Sequence, residues 1–155
     1  MIKFPQYLLF LLFISGSLWA GLNLEVRNTT FLHTNDFRRL PELFTGVEYT
    51  GNKIFVRSTP EVRSGYYFIV IVKGEIIDIA QKYHWEISWV SSSNPELICK
   101  HFPQNNADFF GKEIFIGLTG NDWPGESVYP LAWRIRLLDE QSSTLAESKS
   151  FLWEK

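Results

Sequence analysis

Several short stretches of the chain alternate apolar and polar residues, which is the pattern of a β-strand with one buried face. Near the amino terminus, Leu22, Leu24 and Val26 alternate with polar residues. The stretches 84–91 and 132–138 repeat the pattern with larger side chains. Their predicted inward residues are Trp85, Ile87, Trp89, Trp133, Ile135 and Leu137.

The two stretches with large inward residues are expected to be neighbours in one sheet. Their inward sets match in size and shape, which favours direct cross-strand contact. If 84–91 and 132–138 pair, Glu86 faces Arg134 or Arg136 across the ladder. We expect such a pair to be exposed and to contribute about 0.2 to 1 kcal/mol.

Further runs rich in β-branched and aromatic residues are separated by clusters of Gly, Pro, Asn and Ser. They predict strands at 47–50, 54–58, 66–73, 97–102, 113–118 and 145–153. We expect the first two to form a hairpin around Gly51-Asn52, because both residues tolerate positive φ. The polar stretch 28–41 is expected to be a loop, and 74–83 fits neither period. The whole pattern predicts an all-β, antiparallel two-sheet sandwich of about seven to nine strands.

The longest apolar run after the amino terminus, 66–73, predicts a strand with two apolar faces. If Tyr66, Phe68, Val70 and Val72 point inward, then Tyr67, Ile69 and Ile71 point outward, or the reverse. Three outward hydrophobic residues need a cover, since patches of that size are seldom left in water. The cover could be the amino-terminal arm, the segment 74–83, another subunit or a partner protein. Tyr67, Ile69 and Ile71 are therefore a candidate interface.

The first twenty residues have the three parts of a secretory signal peptide. Lys3 supplies a positive charge, 7–14 is an unbroken apolar run, and 15–20 contains small residues. The run is shorter than the roughly 20 residues of a membrane-spanning helix, so we expect no stable span after cleavage near Gly21. The competing interpretation is an uncleaved membrane anchor, because the cleavage motif is imperfect. The expected organisation is a signal peptide at 1–20, a strand and loop arm at 21–43, and a β-sandwich domain at 44–155. The protein is then exported, either periplasmic or extracellular.

Composition narrows the classes of function. The chain has 155 residues, 15 Lys and Arg, 17 Asp and Glu, and a net charge of -2. This balance gives no support for nucleic-acid binding, which needs a basic surface. A single cysteine, Cys99, excludes an internal disulfide and a zinc site with two thiolates. In an exported protein a lone thiol is expected to be buried or paired between chains, and we expect Cys99 to be buried as a small hydrophobe.

Motifs that carry catalytic chemistry are missing from the sequence. His33, His84 and His101 are not spaced as metal ligands on one element. His84 and His101 could meet only through tertiary pairing, and exposed strand histidines are the expected outcome. The sequence has no nucleophile elbow and neither of the two common phosphate-binding glycine loops. We therefore expect no enzyme activity, no cofactor and no metal.

The loop 119–130 is the most informative polar segment. Trp123 precedes a proline, and Asp122, Glu126 and Tyr129 lie close to it in sequence. These side chains could form an aromatic platform that stacks on a sugar or binds a proline of a partner. The competing interpretation, which we favour, is that Trp123 folds back and closes one end of the sandwich.

The chain resembles immunoglobulin-like and fibronectin-like modules of exported bacterial proteins. The likeness rests on Trp85 and Trp89 in one strand, on Trp133 in a later strand, and on the closing hairpin from 137–140 to 145–147. It covers about residues 44 to 153 and implies an immunoglobulin-like fold, while no activity and no site residues come with it. The cysteine pair of antibody domains is missing.

Together these features favour an exported, non-catalytic β-sandwich that acts by contact, as a protein-interaction, assembly or accessory module of the cell envelope or a secretion system. The alternative is a small carbohydrate-binding module that uses the loop aromatics. An enzyme whose residues converge from separate loops ranks third. The expected partner is a protein or a polysaccharide, and self-association into a homo-oligomer is open.

Overall fold

Strands dominate the described part of the chain. The computed structural model describes residues 21–75, 82–103 and 109–154. The strands are β1 (Asn23–Leu32), β2 (Lys53–Arg57), β3 (Gly65–Lys73), β4 (His84–Ser91), β5 (Ile98–His101), β6 (Glu113–Thr119), β7 (Pro130–Leu138) and β8 (Thr144–Lys149). One short helix, α1 (Leu40–Thr45), and 3-10 helices at Thr34–Phe37, Gly120–Asp122 and Phe151–Glu154 accompany them. The predicted all-β fold with seven to nine strands is confirmed.

The strands form two four-stranded sheets. The first sheet has the order β1-β3-β6-β2, and the second has the order β5-β4-β7-β8. All neighbouring pairs are antiparallel except β2 and β6, which are parallel. The predicted pairing of the two tryptophan-rich strands is confirmed, because Trp85 lies opposite Leu137 and Trp89 lies opposite Trp133.

The main core lies between the two sheets. The strict alternation in β4 places Trp85, Ile87 and Trp89 on the inner face, where all three are buried. They pack in one cluster with inward residues of the first sheet, Phe68, Val70, Ile114 and Ile116. Each such side chain contributes about 1.5 to 3 kcal/mol when it leaves water. This interior fixes the two outer faces on which the candidate sites lie.

The hairpin predicted around Gly51-Asn52 is wrong, although the turn itself forms. Lys53 N donates to Thr50 O over 3.1 Å, and Gly51 has a φ of 60°. Only the second arm becomes a strand, β2, and its ladder partner is β6. The first arm is not a strand; its Glu48 contacts β2 through the side chain of Arg57.

The loop predicted for 28–41 is also wrong over its first part. Residues Asn28 to Leu32 continue β1 and pair with β3, after an irregularity between Val26 and Asn28. The polar side chains concealed this strand because β1 lies at the edge of its sheet, where one side faces water.

The final predicted strand is shorter than expected, and some predictions lie outside the described residues. β8 ends at Lys149, and Phe151–Glu154 is a 3-10 helix attached by a hydrogen bond from Ser150 N to Trp133 O of 2.9 Å. The predicted signal peptide at 1–20 and most of the unassigned segment 74–83 are outside the described ranges. Within those ranges no helix is long and apolar enough to cross a membrane.

Candidate binding surface

The outer face of the first sheet carries the three residues predicted as an interface. Tyr67 is fully buried, whereas Ile69 and Ile71 are half-buried. The reason is that the chain covers part of this face itself, with residues that follow β1. Tyr67 is therefore not available to a partner, and the amino-terminal arm is the cover for this end of the strand.

Phe37 is the residue that closes over Tyr67. It ends the 3-10 helix Thr34–Phe37, in which His33 N donates to the Asp36 carboxylate over 2.7 Å. The Phe37 ring lies 5.1 Å from the Tyr67 ring and 5.3 Å from the Phe55 ring, measured between centroids. These edge-to-face and tilted contacts form a small second core with Phe115 on the outside of the sheet.

Arg57 ties this outer core to the chain between α1 and β2. Its Nε donates to the Tyr67 hydroxyl over 2.9 Å, and that hydroxyl donates to Arg63 O over 2.6 Å. Its two terminal nitrogens bind both oxygens of Glu48, at 2.8 and 2.6 Å. A bidentate pair of this kind is strong and directional. It fixes the position of the segment that follows α1.

The hydrogen bonds from Arg57 lower the pKa of Glu48 below its usual value of 4.5, against the opposing effect of partial burial. Burial raises the pKa of Tyr67 above 10.0, although the hydrogen bond from Arg57 opposes it. The phenol therefore stays neutral and the carboxylate stays charged at neutral pH. The network is an ion pair capped by a neutral hydroxyl.

A groove of about 600 Å³ opens beside this outer core. Its floor is aromatic and aliphatic, formed by Phe37, Phe55, Ile69 and Phe115. Its rim carries Asp36, Arg39, Lys53, Tyr49 and Glu113. Concave apolar floors with a few polar groups at the rim are typical of binding sites.

Helix α1 lies next to the groove, and it directs its acidic residue toward the protein and its large apolar residues toward solvent. Glu42 points toward the protein and its carboxylate accepts a 2.6 Å hydrogen bond from Arg63. Leu40, Leu43 and Phe44 are instead 73%, 71% and 88% exposed. Val47 and Tyr49 follow and are also exposed. We name the surface formed by these five residues the 40–49 surface.

The loop 119–130 does not offer its tryptophan to solvent. Trp123 is only 4% exposed, and its ring centroid lies 4.7 Å from Tyr66 and 6.4 Å from Trp89. Its Nε1 donates to Gly125 O over 3.0 Å. The prediction that Trp123 closes one end of the sandwich is confirmed. A sugar platform built on this ring has no exposed face in the structure.

The other loop residues of the predicted platform are separated by their partners. Asp122 binds Lys100 at 2.9 Å, and Glu126 lies 3.3 Å from a ring nitrogen of His33. Tyr129 is more than half exposed. With Trp123 enclosed and Asp122 paired, the predicted sugar platform lacks its main ring and one of its acceptors.

The outer face of the second sheet is polar, and it corrects two predictions. Glu86 lies opposite Arg136 as expected, and Arg136 Nε and Nη2 both bind Glu86 Oε1, at 2.8 and 2.5 Å. The pair is not exposed, since Glu86 is 5% exposed.

The predicted burial of Cys99 is wrong. Cys99 lies exposed on the edge strand β5, on the face that points away from the core.

Sequence reasoning missed the 40–49 surface and the side chains around Cys99. The signal for the first was present, because Leu-Pro-Glu-Leu-Phe at 40–44 is too apolar for an ordinary solvated loop. For the second, the alternation in β5 placed Cys99 and His101 on one face. Which of the two faces meets the core depends on sheet packing, and the alternation does not give it.

Comparison with protein-family models, with curated proteins and with solved structures gives no match.

Proposed function

We propose that the protein is an exported, non-catalytic module that binds another protein of the envelope or a secretion system through the 40–49 surface. The inverted polarity of α1 carries the proposal. Its acidic residue is used inside the fold, by Arg63, while its three large apolar residues face solvent. A helix that only covered the sheet would place these residues the other way round.

The position of this surface is fixed by the fold. Glu48 is bound by Arg57 of β2, and Glu42 by Arg63 in the connection between β2 and β3, so ion pairs hold the segment at two points. A segment that is already fixed loses less conformational entropy when it binds. Leu40, Leu43 and Phe44 can then act as apolar anchors for a partner that presents a complementary apolar surface.

The groove beside α1 enlarges the available area. Its aromatic floor and charged rim adjoin Tyr49, which belongs to both the groove and the 40–49 surface. The half-buried Ile69 at the floor keeps the interface role predicted for it from sequence. A partner contacting Phe44 could therefore extend a chain segment into the groove.

The carbohydrate alternative is weaker than it was from sequence. Trp123, its main ring, is enclosed, and Asp122 is already paired with Lys100. Tyr129 remains as an exposed aromatic of the loop. A single exposed tyrosine gives less stacking surface than a platform of several aromatics.

The proposal is tested by affinity purification with the chain that begins at Gly21. Wild type is compared with Leu43→Ser/Phe44→Ser and with Leu97→Ser, which changes an exposed leucine next to β5 in the other sheet. We expect one or more envelope proteins to co-purify with wild type and with the Leu97 variant and to be lost with the α1 variant. Equal recovery with all three proteins, or retention on a polysaccharide matrix that depends on Tyr129, would overturn the proposal.

A further inference from the structure

Three different metal-ligand side chains meet on the outer face of the second sheet, away from the 40–49 surface. They are Glu86 of β4 and Cys99 and His101 of β5. One donor atom from each lies within 4.8 Å of the others. The register explains the meeting, because Glu86 lies directly opposite His101 and Ser88 lies opposite Cys99.

Arg136 holds the carboxylate of Glu86 through one oxygen, Oε1, and does not bind the other. Both contacting nitrogens of Arg136 bind Oε1, which leaves Oε2 facing the His101 ring, 3.6 Å from Nδ1. Glu86 is almost fully buried, so its position is set by the sheet. Arg136 thus orients the carboxylate, as hydrogen-bonded neighbours of metal ligands commonly do.

The thiol and the imidazole are on the exposed side of the same cluster. Cys99 Sγ lies 3.9 Å from His101 Nε2. Donors around a tetrahedral zinc ion are about 3.3 to 3.7 Å apart, from the usual metal–ligand lengths. The side chain of His101 is 63% exposed, so its ring can turn to present one nitrogen to an ion between the thiolate and the carboxylate.

A second histidine, His84, lies on the same face of β4 as Glu86. The His84 ring centroid is 6.5 Å from that of His101. His84 Nδ1 is buried and has no hydrogen-bond partner among the described residues. Buried polar atoms normally have partners, so this unsatisfied nitrogen is unusual for a residue next to the cluster.

We propose that Glu86, Cys99 and His101 bind a divalent transition-metal ion of the zinc type, with His84 next to it. Thiolate and imidazole donors favour zinc over calcium or magnesium, which take oxygen ligands. Three protein ligands leave one coordination position for an external donor such as water. Binding would also account for an exposed lone thiol in a chain expected to be exported, because the metal holds it as a thiolate.

The test is calorimetric titration of zinc into the reduced chain that begins at Gly21. We expect one saturable site, weakened about tenfold or more by Cys99→Ser and by His101→Gln, by analogy with the effects of altered metal sites. Both residues are exposed, so these variants should fold. His33→Gln is the matched control, since His33 is also exposed beside a carboxylate but has no thiol neighbour. It should bind as wild type does.

Two further measurements keep the result from depending on affinity alone. Cobalt bound to wild type should show a thiolate-to-metal absorption band that Cys99→Ser lacks, and zinc should slow alkylation of Cys99. Absence of saturable binding, binding unchanged in both site variants, or alkylation at the same rate with and without zinc would overturn the proposal. Disulfide-linked dimers through Cys99 in a chain that binds no zinc would do the same.

Discussion

The two outer faces of the sandwich are built from strands of opposite character. β3 and β6 are apolar on both faces, so the outer face of the first sheet must be covered, and the chain does this with Phe37 and the Arg57 network. β4 and β7 alternate, so the outer face of the second sheet carries Glu86 and Arg136 and needs no apolar cover. The proposed protein-binding surface therefore lies beside the partly covered outer face of the first sheet. The proposed metal site lies on the polar outer face of the second sheet.

The largest expected loss of stability comes from a change in the core between the two sheets. Changing Trp123 to Ala removes a ring that is enclosed between Tyr66 and Trp89. We expect the free energy of unfolding to fall by about 3 to 5 kcal/mol, measured by urea denaturation. A loss of less than about 1 kcal/mol would mean that the Trp123 ring is exposed to solvent, and the sugar-platform interpretation would then be favoured again.

The cover of the first sheet is tested by Phe37→Ala. The ring is buried against Tyr67 and Phe55, so its loss should cost about 3 kcal/mol of unfolding free energy. Phe151→Ala is the control, because Phe151 is 79% exposed. That variant should change stability by less than about 0.5 kcal/mol. Similar losses in both variants would mean that Phe37 is not a cover.

The polar second face is tested by removing one member of its ion pair. Glu86→Ala leaves Arg136 without its carboxylate in a half-buried position. We expect a loss of about 2 kcal/mol, below the range for fully buried pairs. The double variant Glu86→Ala/Arg136→Ala should recover part of it, since no unpaired charge remains. Additive losses, measured by the same denaturation, would contradict the pairing.

The ion pair between Arg57 and Glu48 should make the free energy of unfolding depend on pH in the acidic range. The pKa of Glu48 is lowered in the folded state, from 4.5, by the Arg57 hydrogen bonds. Its contribution is therefore fully present above about pH 4.5 and is lost as pH falls through the lower folded value. The stability difference between wild type and Glu48→Gln should shrink toward zero across that interval. Glu113→Gln, which changes an exposed acid, serves as the control.

The sequence could predict a strand and its buried face wherever large apolar and polar residues alternate strictly within that strand. Trp85, Ile87 and Trp89 identified β4 and its partner because every second residue is large and apolar. The second half of β1 could not be found in this way, because an edge strand can carry Asn28 and Thr30 on a face that water reaches. The same limit applies to the 40–49 surface, whose orientation depends on Arg63 and Arg57, distant partners that bind Glu42 and Glu48.

The smallest expected effect on stability belongs to the 40–49 surface itself. Phe44→Ser should change the free energy of unfolding by less than about 0.5 kcal/mol, because the ring is already 88% exposed. Thermal denaturation of the variant checks this. A large loss would mean that Phe44 packs against the protein and is not available for a partner.

Photo-cross-linking from single positions of the protein in cells tests whether the 40–49 surface contacts another protein. A photoreactive amino acid replaces Phe44 in one protein and Tyr129, the exposed aromatic of the loop, in another. We predict a discrete protein adduct from position 44 and none from position 129. Adducts only from position 129, or none from position 44 in cells that export the chain, would contradict the account.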